Sequence, residues 1–389
     1  MRPDYCPSIC LVAHSAYGAM VGGNRGHIGG VERQTSLMAR WFAKRGYQVS
    51  MLTWDEGQED GVEIDGVRVL KMCRRDAGIK GLRFLWPKWT SLIAGMRRAD
   101  ADVYYQNCGE YVTGQVAHWC RQHGRKFIYS VANDTDCDGR LPEMHTLRER
   151  VFYRHGLKAA DTVIVQTRRQ QDMLRTHFER DSIVIPMPCP GPSQDDDINS
   201  ERGRNGSSPV LWIGRICEQK RPDWLLDIAE VCPDLRFDLV GPAADTKYAH
   251  RICERARAMT NVTLHGPASR DRVAEFYKKA RVLCCTSDFE GFPNTFLEAW
   301  SYGLPVVSTF DPDHLIAERG LGRVAGNAVE LACAIHELLE SPQRWKSTSQ
   351  AARAYYVANH TVDGAMEQFE RVFREVVKVA GDGAEGDGR

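Results

Sequence analysis

At 389 residues, 43% of them hydrophobic, the chain is long enough for two cores, and two domains are expected. Its 51 Lys and Arg balance 51 Asp and Glu, which excludes a global field steering it to nucleic acid; charged partners have to be met locally. Thirteen scattered cysteines without Cys-x-x-Cys spacing, no signal-like start and no apolar run near the roughly 20 residues of a bilayer span predict reduced thiols in a cytoplasmic protein that is not integral to a membrane.

Short continuous apolar runs open the chain at 9–13, 49–52, 103–105, 127–131, 163–165 and 183–185, with longer amphipathic stretches between them. The first run leads into Gly22 to Gly30, which holds five glycines but neither a P-loop lysine nor a G-x-G-x-x-G pattern, and then into a helix over 31–44. Residues 74–98 carry seven basic residues, one acid and two tryptophans. Cations mixed with tryptophan suit an anionic membrane surface; the plainer alternative is a surface loop and a core helix over 89–96. After 127–131 comes Ala132-Asn133-Asp134-Thr-Asp-Cys-Asp-Gly139, which imitates the start of a calcium loop. Its twelfth position is His145 rather than a bidentate glutamate and Pro142 interrupts it, so no metal is expected there. A lone Asp134-Thr-Asp136 is likewise too common by chance to count as a metal-holding pair.

Residues 190–208, rich in turn formers and charge without apolar periodicity, read as a linker, with Asp195 to Asp197 as solvated charge. Strand-like runs resume at 210–213, 237–240, 262–264, 282–285 and 305–308. Continuous apolar strands separated by helices predict an α/β protein with parallel sheets covered on both faces, as two doubly wound, Rossmann-like domains facing each other across a cleft. The expected division is 1–189, linker 190–208, 209–362, a helix over 363–380 packing back on the N-terminal domain, and a frayed tail 381–389. That helix places Met366, Phe369, Val372, Phe373, Val376 and Val377 on one face.

Two stretches of the second half carry chemistry. In Trp212-Ile-Gly214-Arg215-Ile-Cys-Glu-Gln-Lys220-Arg-Pro222, a strand ends at Gly214 and two cations precede a proline suited to a first helical position. Such cations can neutralise a diphosphate, Arg215 as a planar fork and Lys220 as a point charge; alone, they also read as solvated loop charges. In Glu290-Gly-Phe292-Pro-Asn294-Thr295-Phe-Leu-Glu298, two carboxylates eight apart flank the N–H groups of Asn294, Thr295 and Phe296 at a helix start, a combination suited to a sugar nucleotide. Thr295-x-x-Glu298 is equally a capping-box pattern, and Glu290 equally an exposed carboxylate.

These residues resemble the signatures of the retaining GT-B glycosyltransferases of glycosyltransferase family 4. The resemblance extends to Gly29-Gly30-Val-Glu-Arg, Val240-Gly241 and Leu264-His265-Gly266, and covers most of the chain in order. It implies a GT-B fold whose C-terminal domain binds a UDP- or GDP-sugar and whose N-terminal domain takes the acceptor. Arg215 and Lys220 would hold the diphosphate, Glu290 the transferred sugar and Glu298 the ribose, with Asn294 and Thr295 giving backbone donors. Gly214, His265, Gly266 and Phe292 would line the nucleotide, and the Gly29–Gly30 turn would bring N–H groups to the phosphate. The implied reaction is metal- and cofactor-independent hexosyl transfer with retention, in polysaccharide, glycolipid or other glycoconjugate biosynthesis. Many relatives have a His-Asp pair where this chain has Asn133-Asp134, and Asn133 takes no proton at neutral pH. The acceptor is a sugar or a lipid-linked hydroxyl. A sugar-nucleotide epimerase and a non-catalytic sugar-nucleotide binder are the alternatives.

Overall fold

Fourteen short strands form two sheets, one in each of the two units into which the chain divides in this computed structural model, which describes residues 6–22, 29–192 and 208–382. Most of the glycine-rich segment before Gly29, most of the linker and the last seven residues lie outside that range.

Unit 1 comprises Met1–Met187 and Ala365–Arg389. Its strands are β1 (Ile9–Val12), β2 (Val49–Thr53), β3 (Val62–Ile64), β4 (Val67–Lys71), β5 (Val103–Asn107), β6 (Lys126–Ser130), β7 (Thr162–Val165) and β8 (Ile183–Val184), in the order β3-β4-β2-β1-β5-β6-β7-β8. All pairs are parallel except β3 with β4. The β-branched and aromatic runs form buried central strands because helices cover both faces. The β3–β4 hairpin is absent from the sequence reading. Its Asp65-Gly66 turn has φ of 51° and 77°, a type I′ geometry that matches the twist of the flanking strands.

Helix Tyr111–Gln122 meets helix Leu147–Ala159 backbone to backbone at Gly114 and Gly156; a Cβ on Gly114 would sit 2.2 Å from the Phe152 carbonyl oxygen. The C-terminal helix, Val362–Asp382, buries Met366, Phe369, Val372, Phe373 and Val376. Phe373 packs on Phe42 and Tyr105, and Tyr47 Oη donates to Glu370 at 2.6 Å. Val377 is only half-buried.

Unit 2, Pro188–Gly364, has β9 (Val210–Ile213), β10 (Phe237–Val240), β11 (Val262–Gly266), β12 (Val282–Cys285), β13 (Val306–Ser308) and β14 (Gly322–Val324), all parallel in the order β11-β10-β9-β12-β13-β14. Strand β14 is also unpredicted, being only three residues long and opened by a glycine. The order reverses between β9 and β12, so the loops after these two strands diverge around one crevice, the place where such sheets bind ligands. Those loops carry Arg215, Lys220 and Glu290.

Candidate active site

Close approach of the chain shapes the first wall in unit 2. Gly214 N–H donates to the Val240 carbonyl at 3.0 Å and Gly241 N–H to the Gly266 carbonyl at 2.9 Å, so the turns after β9, β10 and β11 are laced together. Gly241 has φ of 139°, and a Cβ there would lie 1.9 Å from the Gly214 carbonyl oxygen. Gly214 therefore spends its N–H on the sheet, so at a nucleotide it could line the site only with its backbone surface.

Beyond Gly214, Arg215 is exposed, with no side-chain partner among the described residues. A single tight turn, Glu218–Lys220, leads to Arg221, and helix Pro222–Val231 begins at the proline, as its fixed φ favours. Lys220 Nζ forms an ion pair with Glu290 Oε1, closing the two loops on each other across 70 residues of sequence. Glu290 is thus not an ordinary exposed carboxylate.

Several further contacts stitch these loops, none of them anticipated from the sequence. Thr286 Oγ1 accepts from Trp212 Nε1 at 2.9 Å and donates to the Lys220 carbonyl at 2.8 Å. Asp288 N–H donates to the Gln219 carbonyl at 2.9 Å, and Gln219 Nε2 donates to the Phe289 carbonyl at 3.0 Å. Arg221, left-handed at φ 46°, reaches Asp288 at 3.1 Å and lies 3.9 Å over the Trp224 ring. A left-handed non-glycine residue costs on the order of 1–2 kcal/mol, and these two contacts offset it. The sequence signal was weak because a residue before proline ordinarily prefers extended backbone.

Helix Asn294–Ser301 starts two residues earlier than a Thr295 cap requires: Pro293 is the N-cap and Thr295 sits inside the first turn. Phe296 N–H turns back to the Pro293 carbonyl at 3.0 Å, which removes one of the three donors expected for phosphate. Glu298 instead receives the hydroxyl of Tyr277 at 2.8 Å; Tyr277 is buried and stacked on Tyr302 at 5.8 Å. Phe292 is a packing residue, its ring against Trp300 and His360. His265 Nε2 pairs with Asp238 Oδ1 at 2.8 Å, and its ring packs on Phe276 at 4.6 Å, so the imidazole belongs to β10 and β11. Gly266 turns at φ 68° in open space.

The unit 1 residues gather at carboxyl ends of strands. Gly29 caps helix Gly30–Lys44, and its N–H is taken by Glu32 Oε2 at 2.9 Å. The helix start thus already holds an anion, so the predicted phosphate-facing N–H is occupied. Asn133 is exposed at the end of β6. Asp134 accepts from Gln170 Nε2 at 3.0 Å and Arg169 Nε at 3.2 Å. Asp136 is buried, which pushes its carboxyl up to about 6, while the N–H groups of Ala132, Gly109 and Asn133 that it accepts pull the other way. The two aspartates thus face different protein partners.

A polar cluster that the sequence reading missed follows β1 and β5. His14 Nδ1 lies 3.7 Å from Glu110 Oε2, the His14 ring is 4.5 Å from that of Trp54, and Lys88 Nζ stands 5.2 Å from the Trp54 ring. Buried atoms His14 Nε2, Gln106 Oε1 and Asn107 Oδ1 have no protein partner among the described residues. Buried polar groups are almost always satisfied, so this end of the sheet has hydrogen-bonding capacity left over.

Comparison with known proteins follows the same division. The model for glycosyl transferases group 1 matches residues 208–341, and that for the glycosyl transferase 4-like domain matches 29–190. A D-inositol 3-phosphate glycosyltransferase of Rhodococcus erythropolis is 24% identical over 89% of this chain and 87% of its own length; one from Mycobacteroides abscessus is 27% identical over 73% and 70%. Among solved structures, sucrose-phosphate synthase from Thermosynechococcus elongatus superposes with a TM-score of 0.77 at 19% identity, covering 96% of this chain and all (100%) of that one. Anabaena HepE, solved with UDP and glucose, gives 0.73 at 17% identity, covering 95% and 100%.

Proposed function

From the premise that this chain belongs to the group 1 glycosyl transferases, with a GT-B fold, we propose that it moves a hexose from a UDP- or GDP-sugar to a hydroxyl acceptor with retention at the anomeric carbon and without a metal ion. The observation that carries this reading is the meeting of Lys220 and Glu290 at the β9–β12 crevice, with Arg215 exposed on the same loop. Breaking the anomeric bond leaves negative charge on the diphosphate and positive character on the sugar. Arg215 and Lys220 neutralise the first, Glu290 accepts hydroxyls of the second, and Glu298 takes the ribose, with backbone donors at Asn294 and Thr295. No carboxylate is assigned as nucleophile, so the leaving phosphate accepts the acceptor's proton on the face it departs from. Two protein cations do the work a metal does elsewhere.

The acceptor belongs to unit 1, at the cluster of His14, Glu110, Trp54 and Lys88, where leftover hydrogen-bonding capacity suits a polyhydroxyl ring. A lipid-linked acceptor is the second form, met at the cytoplasmic face of a membrane through residues 74–98. The relatives named above are, by name, glycosyltransferases of inositol 3-phosphate, a polyhydroxyl ring, which supports the first form. The exposed Asn133 keeps the non-catalytic reading as the alternative.

Screening UDP-, GDP- and ADP-sugars by thermal stabilisation identifies the donor, because a ligand at a hundredfold its dissociation constant adds roughly 2.7 kcal/mol. Proton NMR of the product then reads the anomer. An inverted anomer overturns retention, an isomerised free sugar nucleotide without acceptor indicates an epimerase, and donor binding without turnover on any acceptor indicates a binder.

Tyr277→Phe tests the ribose assignment. The variant keeps its ring stacking but loses the bond to Glu298, so affinity for a ribonucleoside diphosphate should fall about threefold to tenfold, while that for the 2′-deoxy analogue changes little. Equal losses for both, measured by calorimetry, would remove Glu298 from the ribose.

A further inference from the structure

Residues 78–88 fold into a knuckle whose apolar side chains point away from the protein. Ile79, Leu82, Leu85 and Trp86 are between 53% and 71% exposed. Beneath them Phe84 is buried against Trp89, Tyr111 and Phe152. Gly78, at φ 88°, lies so close to Pro87 that a Cβ would come within 2.6 Å of its ring, which folds the knuckle tightly onto itself. Backbone N–H groups of Leu82, Arg83, Leu85, Trp86 and Lys88 all donate within the segment. These five amide groups would enter a low-dielectric layer already paired.

The apolar surface continues onto an element distant in sequence. Phe152 and Arg148 of helix Leu147–Ala159 hold Trp89 and Phe84, the guanidinium 4.1 Å from the Phe84 ring. Beside them on that helix, one turn apart, Leu147 and Val151 are 78% and 55% exposed. Lys80 and Arg83 carry charge on the knuckle with no ion-pair partner among the described residues, and Arg148 carries it on the helix. Large apolar side chains grouped in this way mark an interaction surface.

We propose that the knuckle and the first turns of helix Leu147–Ala159 form one docking surface for an anionic lipid membrane, with the apolar side chains in the headgroup layer and the cations on the lipid charges. The proposal rests on the membrane contact suggested above for residues 74–98 and adds its second half. Charge selects the occupant. A second copy of this chain would bring two basic rims face to face, whereas a surface of anionic headgroups complements them and draws about 1 kcal/mol from each cation, a factor of about five in binding.

The test is flotation of the full chain with phosphatidylcholine vesicles, with and without phosphatidylglycerol, at low and high salt. Binding is expected only with phosphatidylglycerol and weaker at high salt. Leu82→Ser with Trp86→Ser, and separately Leu147→Ser with Val151→Ser, should each weaken it about tenfold, and Lys80→Gln with Arg83→Gln about fivefold per charge. These positions are at the surface, so melting temperatures should not move; the charge variants keep the test open if an apolar pair misfolds. Absence of binding to anionic vesicles at low salt overturns the proposal, as does self-association that the Trp86 change abolishes. An unaffected Leu147 and Val151 variant overturns the two-element surface. Nucleoside-diphosphate binding, measured on the same proteins and expected to be unchanged, reports on the glycosyltransferase reading independently.

Discussion

Glu290→Gln should lower sugar transfer on the order of a hundredfold while leaving bare nucleoside diphosphate bound as well as before or about threefold to tenfold more tightly. In the free protein the Glu290 carboxylate occupies the Lys220 ammonium, and both are only partly accessible, with side chains 12% and 26% exposed. A diphosphate has to replace that carboxylate as the ammonium's partner; without its charge, Lys220 is available from the start. The transferred sugar then loses its acceptor. Lys220→Ala should act differently, because it leaves a half-enclosed carboxylate with no counter-charge beside the phosphate site. Removing one partner of a fully buried pair costs roughly 3–5 kcal/mol, and the exposure of this one reduces that to about 1–2. Calorimetry with the diphosphate and with the intact donor, next to urea unfolding, separates the cases. Glu290→Gln weakening both ligands equally would show that Glu290 does not face the sugar.

Gly241→Ala should be among the most damaging single changes in unit 2, at about 3–5 kcal/mol of stability together with loss of donor binding. The methyl group would lie 1.9 Å from the Gly214 carbonyl oxygen, and φ at 139° is a conformation that residues with a Cβ rarely adopt. Relief requires the β9 turn to move, and that turn carries Arg215. Gly266→Ala is the control for stability: φ is 68°, nothing lies within 4 Å, and the cost should be about 1 kcal/mol. Urea denaturation of both variants, with diphosphate titration, gives the comparison. Equal costs would show that left-handed strain rather than the contact with Gly214 dominates.

Much of the architecture was legible in the pattern of residues. Val210, Leu211, Trp212 and Ile213 form a strand because a run that long without a polar residue has to be buried on both faces, and Pro222 starts a helix because its φ is preset. The β3–β4 hairpin was legible and missed: Val62-Glu-Ile-Asp-Gly-Val-Arg-Val is an alternating pair around an Asp-Gly turn. Strand β14 was not, since three residues beginning with glycine carry no period. Of the site, Arg215, Lys220, Glu290 and Glu298 stood out as charges at loop and helix starts, but their partners did not. Thr295-x-x-Glu298 suggested a cap, yet Pro293 takes that place and Glu298 accepts from a tyrosine 21 positions earlier. Gly29 suggested a phosphate donor, yet its N–H goes to Glu32.

By itself, the sequence determined the period of most elements and the places where charge meets the start of a helix, since these depend on interactions within a few residues. The tertiary structure decided which side chains meet. Lys220 reaches Glu290 because β9 lies beside β12 in the sheet, an adjacency set by how helices cover the strands and recorded in no local pattern. The same holds for Gly241 against Gly214 and for Phe84 against Phe152: neighbours made by strand order and helix packing, across separations at which the chain itself imposes no geometry.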